Sequence, residues 1–356
     1  MSFSSIETHS FRNLADGAVL TDAPSVFVVG ENGQGKTNFL DAIYTLCYGS
    51  SFRGGTDADA ALLEHDWWNI RGTGPDGSQC SVAWAEGQKT IREDDKPVRD
   101  RKRLVERNPA VVFCHDDMEF SRGEPERRRF FFDQTASLVS VGYIDALRSY
   151  RRLLKARNVA LKERSLDVLD VLDIQLVTYG LLLRDERARL AAEFDQRFAP
   201  RYERVSLLGT RVGVSYHPSW RLGESTNDVL TRLASARDRE LVLGTTLSGP
   251  HRDRYSFIDD RGDFSERAST GQLRLLSLTL RIAQAEHYTI ASGRSPILLL
   301  DDVLLELDPE KRKRFMDNLP SAEQAFFTFL PGEPYAAYAT AETIIYWTEH
   351  GRFSRA

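Results

Sequence analysis

Short apolar runs and longer amphipathic stretches alternate along this chain, and their periods predict its elements. Ser5 to Ser10 alternate weakly between polar and apolar positions and lead to Phe11-Arg12-Asn13-Leu14, with Asp16-Gly17 as a turn signal before Ala18-Val19-Leu20. The start therefore reads as a hairpin. Val26-Phe27-Val28-Val29 is a continuous apolar run, the pattern of a buried strand, and a helical pattern from about Thr37 to Tyr48 follows. Ser51-Phe52-Arg53-Gly54-Gly55 breaks it. From Ile70 to Arg99, β-like runs are punctuated by Gly74-Pro75-Asp76-Gly77 and Glu93-Asp94-Asp95. An antiparallel sheet with Trp84 on its buried face is expected there. Pro109-Ala110-Val111-Val112-Phe113 predicts a buried strand ending at Cys114-His115-Asp116-Asp117.

From Glu126 the period becomes helical. Ile144, Leu147, Tyr150, Arg151, Leu154, Asn158 and Leu161 share one face, and a second run from Asp167 to Phe198 is expected to end at Pro200. No heptad repeat is sustained, so the region reads as a helical arm inserted in an α/β head, too short for a long coiled coil. Beyond it, Val212 to Tyr216 predicts a strand and Asn227 to Arg239 a helix. Leu247-Ser248-Gly249-Pro250-His251-Arg252-Asp253 is a polar turn without periodicity, and Leu273 to Ile290 an apolar helix buried on more than one side. Pro296-Ile297-Leu298-Leu299-Leu300 and Ala325-Phe326-Phe327 complete the buried strands.

Composition narrows the class. The 356 residues suggest two domains or one head with an insertion, 41% hydrophobic content suffices for a core, and 28% charge argues against a membrane protein. No apolar run approaches the roughly 20 residues that span a bilayer. Met1-Ser2-Phe3-Ser4-Ser5-Ile6-Glu7 has no basic start or apolar core, so no export is expected. Cys47, Cys80 and Cys114 have no metal spacing and read as reduced, structural and cytosolic. Net charge is −5, yet Ser121 to Arg164 holds eleven basic and five acidic residues. Such a basic island on an acidic chain is either a footprint for a polyanion or a solvated helix face.

The chemistry concentrates in three places. Gly30-Glu31-Asn32-Gly33-Gln34-Gly35-Lys36-Thr37 lies between strand and helix as Gly-x-x-x-x-Gly-Lys-Thr, a P-loop. Glycines 30, 33 and 35 allow positive φ and let N–H groups surround phosphate, Lys36 reaches the β- and γ-phosphates, and Thr37 is placed to ligate Mg²⁺. The following helix adds its N-terminal charge. Arg12 and Asn13 lie near the loop in sequence and are candidates to reach adenine or phosphate, with an exposed turn as the other reading. Ser269-Thr270-Gly271-Gln272 opens the apolar helix as a second anion receptor or an ordinary N-cap. Asp301 and Asp302 end a buried strand, where open α/β sheets bind ligands. Asp301 is placed to hold Mg²⁺ and Asp302 to orient or deprotonate the attacking water.

P-loop, Ser-x-Gly-Gln and Asp-Asp strand, in that order, resemble the ABC-type ATPase heads of the SMC group, and more closely the RecF family of bacterial gap repair and recombination. Gly30 through Asn38, Arg128-Arg129-Phe130 to Asp133, Tyr150 through Asn158, Leu247 through Asp253 and Leu300-Asp301-Asp302-Val303-Leu304 are similar to that family's signatures. Generic ABC heads lack the Ser-Gly-Pro-His-Arg-Asp stretch. The resemblance implies a P-loop ABC-type head over residues 1–120 and 205–356, with a mixed central sheet plus an antiparallel sheet, and an inserted α-helical arm or lid over 121–204. It implies ATP and Mg²⁺ bound by Gly30, Glu31, Asn32, Gly33, Gln34, Gly35, Lys36, Thr37, Asn38 and Arg12. In a closed homodimer the other copy would supply Ser269, Gly271 and Gln272. Thr37, Asp301 and Asp117 are the implied metal ligands, Asp117 being the Q-loop acid where the family has Pro-Glu-Asp and this chain His115-Asp116-Asp117. Arg128, Arg129, Arg151, Arg152, Lys155 and Arg157 are the implied contacts to gapped or duplex DNA. RecR and RecO are the implied partners, and recombinase loading and the SOS response the implied setting. The family's Ser-Glu-Leu-Asp appears as Leu305-Glu306-Leu307-Asp308, and Thr328 stands nearest the transporter-type switch histidine. A transporter or other SMC-like ATPase subunit and a P-loop small-molecule kinase are the alternative readings.

Overall fold

The computed structural model describes residues 2–100, 102–305 and 307–356. Met1 of the amino-terminal reading and Glu306 of the Leu305–Asp308 stretch lie outside them. The chain divides into two compact units, Met1–Asp116 with Gln284–Ala356, and Asp117–Ala283.

The first unit is built on two sheets with a helix between them. β1 (Ser5–His9), β2 (Gly17–Leu20), β3 (Ser25–Val29) and α1 (Lys36–Tyr48) open the chain. β4 (Trp67–Thr73), β5 (Gln79–Ala85), β6 (Gln88–Glu93) and β7 (Lys96–Pro97) follow, then α2 (Lys102–Arg107) and β8 (Ala110–Phe113). Strands β2-β1-β4-β5-β6-β7 pair antiparallel in that order. The expected antiparallel sheet is therefore present, and Trp84 lies on its buried face, packed half-buried against the core opposite the fully sealed Trp68.

The second sheet takes strands from both ends of the chain. Because of this, its order cannot be read from local pattern. The late elements of the unit are β12 (Ile297–Leu300), α9 (Pro309–Asp317), β13 (Gln324–Phe329), β14 (Thr343–Glu349) and β15 (Arg352–Arg355). The order is β15-β14-β3-β13-β12-β8, parallel from β8 to β14, with β15 alone antiparallel. Parallel strands covered on both faces need unbroken apolar runs, and β8, β12 and β13 are buried at every position. Helix α1 buries Phe39, Leu40, Ile43 and Leu46 in one core with Val26, Val28, Ile6, Ile70, Val82 and Leu299. Each such side chain contributes about 1.5–3 kcal/mol of burial. That core fixes the N-terminus of α1 against the end of β3.

The second unit contains α3 (Met118–Arg122), α4 (Pro125–Val139), α5 (Val141–Glu163), α6 (Leu169–Ser206), β9 (Gly213–His217), α7 (Thr226–Leu243), β10 (Arg254–Asp259), β11 (Gly262–Asp263) and the first part of α8 (Thr270–Ser292). Strands β11-β10-β9 form a small antiparallel sheet. Pro200 does not end α6, which continues to Ser206 although proline removes the N–H that Gln196's carbonyl would accept. Burial outweighs that loss. Phe198 and Tyr202 pack on Phe257 and Phe264, and Ala199 and Val205 are sealed beside them. The same packing carries residues 205–283 into this unit, so the expected boundary at 204/205 falls at the foot of α6 inside it.

Candidate functional site

The P-loop follows β3 directly, and α1 starts at Lys36. Gly33 and Gly35 take left-handed φ of 81° and 104°. Gly30 does not, contrary to the expectation for all three. It is glycine because a Cβ there would stand 2.7 Å from both Cγ2 and O of Thr348. Lys36 is buried, with Nζ donating to the Gly30 carbonyl at 2.9 Å and lying 3.6 Å from Asp302 Oδ2. Its charge is thus held at the mouth of the loop by groups that a phosphate would replace. Glu31, Asn32 and Gly33 are exposed at the loop's tip.

The loop is gripped from behind by β14 and β15, which the sequence did not reveal, and from the side by Asn13. Gln34 O accepts from Thr348 Oγ1 at 3.0 Å and from Gly351 N at 3.1 Å, while Gln34 Oε1 accepts from His350 N at 2.6 Å. Asn13 Nδ2 donates to Gly33 O at 2.8 Å, and Asn13 Oδ1 accepts from Asn38 Nδ2 at 2.6 Å. The β14–β15 turn therefore braces the phosphate cradle. A cavity of about 950 Å³ opens beside it, lined by Asn13, Gly30, Glu31, Gln34, Trp347 and His350 among others. The available signal was the alternation of Thr343 to Thr348 followed by His350-Gly351. Arg12, in a left-handed turn at φ 51°, donates through Nε to the fully buried Asp41 at 2.7 Å and through Nη2 to Ser51 at 3.0 Å. It is fixed at the flank of α1.

The paired acids stand where expected. Thr37 Oγ1 donates to Asp301 Oδ1 at 2.9 Å. Thr328, delivered by the neighbouring strand β13, lies 3.1 Å from Asp301 Oδ1 and 2.9 Å from Asp302 Oδ1, and accepts from Asp302 N at 2.7 Å. Burial and then the charge of Asp302 push the Asp301 carboxyl up to about 6, against the hydrogen bonds from Thr37 and Thr328. Among the described residues Lys36 is the only cation paired to these two close carboxylates, a charge deficit that a divalent cation removes. Among the described residues no group of three or more His, Cys, Asp or Glu gathers at one point. Thr37 and Asp301 instead match a Mg²⁺ that takes its other oxygens from phosphate and water.

Asp117 departs from its expected role. It is fully buried in the second unit and paired to Arg281, Nη2 at 2.8 Å and Nε at 3.0 Å, so its charge is already neutralised. Ser269 and Gln272 cap α8 reciprocally: Ser269 N donates to Gln272 Oε1 at 2.8 Å and Gln272 N to Ser269 Oγ at 3.3 Å. Ser269 and Gly271 are exposed.

The six candidate DNA contacts separate by burial. Arg157 is fully buried, bonded to Asp173 at 2.5 Å, Thr246 at 2.9 Å and Glu240 at 2.8 Å, so no phosphate reaches it. Arg128 is half-buried and spends its guanidinium on the carbonyls of Tyr255 and Ser121, both at 3.0 Å. These two residues leave the DNA surface. Arg129 is half-buried on the Asp253 carbonyl at 2.8 Å. Arg151, Arg152 and Lys155 are exposed, Arg151 lying 3.6 Å from Asp133. Arg187 was missed by sequence. It is buried between Asp133 and Asp253, 2.8 Å from each. An arginine on the apolar face shared by Leu183, Leu190 and Phe194 was the sign that a buried partner awaited it.

The sequence model described as "RecF/RecN/SMC N terminal domain" matches residues 2–332. A "DNA replication and repair protein RecF" of Treponema pallidum (strain Nichols) is 41% identical over 346 residues, covering 96% of this chain and 98% of that protein. Its namesake from Staphylococcus aureus (strain JH9) is 29% identical over 352 residues, covering 92% and 93%. Among solved structures, a recombination mediator protein RecF with ATP, of the RecFOR pathway, superposes with a TM-score of 0.88 at 23% identity over 99% of this chain and 97% of that one. An Smc head bound to the C-winged helix domain of ScpA does so with a TM-score of 0.57 at 13% identity, over 99% and 97%. Both structures share its fold, that of an ABC-type ATPase head.

Proposed function

This chain belongs to the RecF family of DNA replication and repair proteins, and from that membership and the geometry of its site we propose that it is an ATP-switched clamp on DNA. The observation that carries the reading is the first-unit site in which Thr37, Asp301, Thr328, Asp302 and Lys36 are linked in that order at the mouth of a P-loop, the last pair as an ion pair. Such a site receives a triphosphate and has the groups to hydrolyse it. The P-loop amides and Lys36 bind the β- and γ-phosphates, and Lys36 exchanges its Gly30 carbonyl for them. Thr37 and Asp301 would hold Mg²⁺, which when bound neutralises phosphate charge. Asp302, pinned by Thr328, orients the attacking water.

Ser269 and Gly271, exposed at the capped N-terminus of α8, are surplus to this set. They meet the γ-phosphate held by a second copy, so ATP joins two protomers, and hydrolysis releases them. A ligand bound only by the dimer drives association by mass action. The dimer engages duplex DNA beside a single-strand gap through Arg129, Arg151, Arg152 and Lys155, a phosphate-directed surface with little base preference. RecR and RecO are its partners in loading recombinase, with SOS induction downstream, in the cytoplasm. Among the described residues no helix is long and apolar enough to cross a membrane.

Sedimentation with and without ATP tests this. Wild type should pass from monomer to dimer on adding ATP, and Lys36→Met should not. Ser269→Arg should bind ATP normally yet stay monomeric, and equal loss of both properties would remove its role in trans. A nucleotide-loaded wild type that stays monomeric, with or without gapped DNA, would end the clamp reading.

A further inference from the structure

The Leu247–Asp253 turn has no part in the scheme above, yet hydrogen bonds anchor it along most of its length. Leu247 N donates to Glu240 Oε1 at 2.7 Å, and Ser248 Oγ accepts from Trp220 Nε1 at 3.1 Å. Gly249, at φ 135°, donates to Ser219 Oγ at 3.0 Å, and a Cβ there would lie 2.6 Å from the Tyr150 hydroxyl. The Pro250 carbonyl accepts from Arg187 Nη1 at 2.6 Å. His251 Nε2 faces the Thr246 carbonyl at 3.1 Å, which can only accept, so the proton sits on Nε2 and Nδ1 accepts from Tyr150 Oη at 2.8 Å. The buried Asp253 carboxylate accepts from Tyr216 Oη at 2.6 Å, Ser219 N at 2.8 Å and Arg187 at 2.8 Å. Arg252 alone in the turn is exposed, and it makes no ion pair among the described residues.

Buried charge networks are weak contributors to stability because desolvation offsets their attraction, and their best-attested effect is to fix one geometry. Here the geometry being fixed is the placement of Arg252. The surroundings are cationic. Arg129 sits on the carbonyl of Asp253, the residue next to Arg252, and Arg151, 62% exposed, lies 3.6 Å from Asp133. Glu126, Asp253 and Asp133 all act on Arg129, and the last two are also engaged by Arg187. Burial first, and then the charges of Arg252, Arg129 and Arg187, keep the His251 imidazole neutral, so these three guanidinium groups face the same ring.

We propose that Arg252, whose backbone is fixed by the anchored turn with Arg129 on the neighbouring Asp253 carbonyl, is a contact for a backbone phosphate of duplex DNA. This contact rests on the DNA-clamp reading. A fixed backbone origin leaves only the Arg252 side chain to order on binding, and its guanidinium meets phosphate through two parallel N–H groups.

The test is fluorescence anisotropy of a labelled duplex with the full-length protein and ATP across a salt series. Arg252→Ala should bind more weakly and lower the log–log salt slope by about 1. Arg252→Lys should keep the slope at reduced affinity, because the charge remains and the fork is lost. Thermal melting, ATP affinity and ATP-driven dimerisation without DNA should match wild type. Wild-type affinity and slope in Arg252→Ala would overturn the contact while leaving the clamp intact. Loss of dimerisation without DNA would overturn it too, by moving the residue to the nucleotide's phosphates. A wild type that binds no duplex at any salt brings down the clamp reading, and this contact with it.

Discussion

Thr328 touches both acidic side chains at the nucleotide site and the backbone of one of them, so it determines where each carboxylate points. Thr328→Val keeps the shape and removes all three bonds. Hydrolysis should fall about 10–100-fold, the usual loss when a supporting partner of a metal or catalytic group goes. ATP affinity without Mg²⁺ should hold, and a parallel loss of both would assign Thr328 to nucleotide binding. His251 illustrates the opposite use of burial. Desolvation first, then the nearby arginines, push its imidazole down to about 4 from the usual 6.5, although the Thr246 carbonyl opposes the shift. A depressed folded-state value means stability fully present above 6.5 and lost as pH falls through about 4. The shift corresponds to about 3 kcal/mol. Melting of wild type should therefore decline through that window, and His251→Asn should flatten the decline. An identical pH profile in the variant would show that other groups drive it.

At the scale of elements, the β14–β15 turn and the P-loop behave as one piece. Three hydrogen bonds to Gln34 and the close approach of Gly30 to Thr348 hold the loop in its phosphate-ready shape before any ligand arrives. Preorganisation of this kind appears in affinity, since the ordering cost is met during folding. Gln34→Ala deletes the bond from His350 N, a contribution of about 0.5–1.5 kcal/mol. ATP should bind about 2- to 10-fold more weakly, with faster amide exchange confined to residues 30–35 and a nearly unchanged melting temperature. ATP affinity equal to wild type would show that the loop needs no brace.

For the molecule as a whole, the excess of basic residues between Ser121 and Arg164 has two fates. Arg157, like the more distal Arg187, is consumed inside by Asp173, Glu240, Asp133 and Asp253, while Arg152 and Lys155 remain exposed. Only the second group can release counterions on meeting DNA. Arg152→Glu combined with Lys155→Glu should weaken duplex binding and lower the salt slope by about 2 or more. Wild-type affinity in that variant would discard this face of α5 as the DNA surface.

Local chemistry by itself determined the P-loop, the Asp301-Asp302 strand and the Ser269 cap, because each is written in contiguous residues whose spacing is the function. The periodicities likewise carried the buried strands and the helical arm. Three matters depended on contacts between residues far apart in the chain, and only the folded molecule decided them. Pro200 stays within α6 because Phe198 and Tyr202 bury more than the proline removes. Arg157 and Asp117, polar in any local reading, are withdrawn from binding by Asp173 and Arg281. Thr348 and Gly351 reach Gln34 across more than three hundred residues because parallel pairing sets β14 beside β3. A sequence records what each side chain is able to do, whereas burial and pairing select which of those abilities remain free.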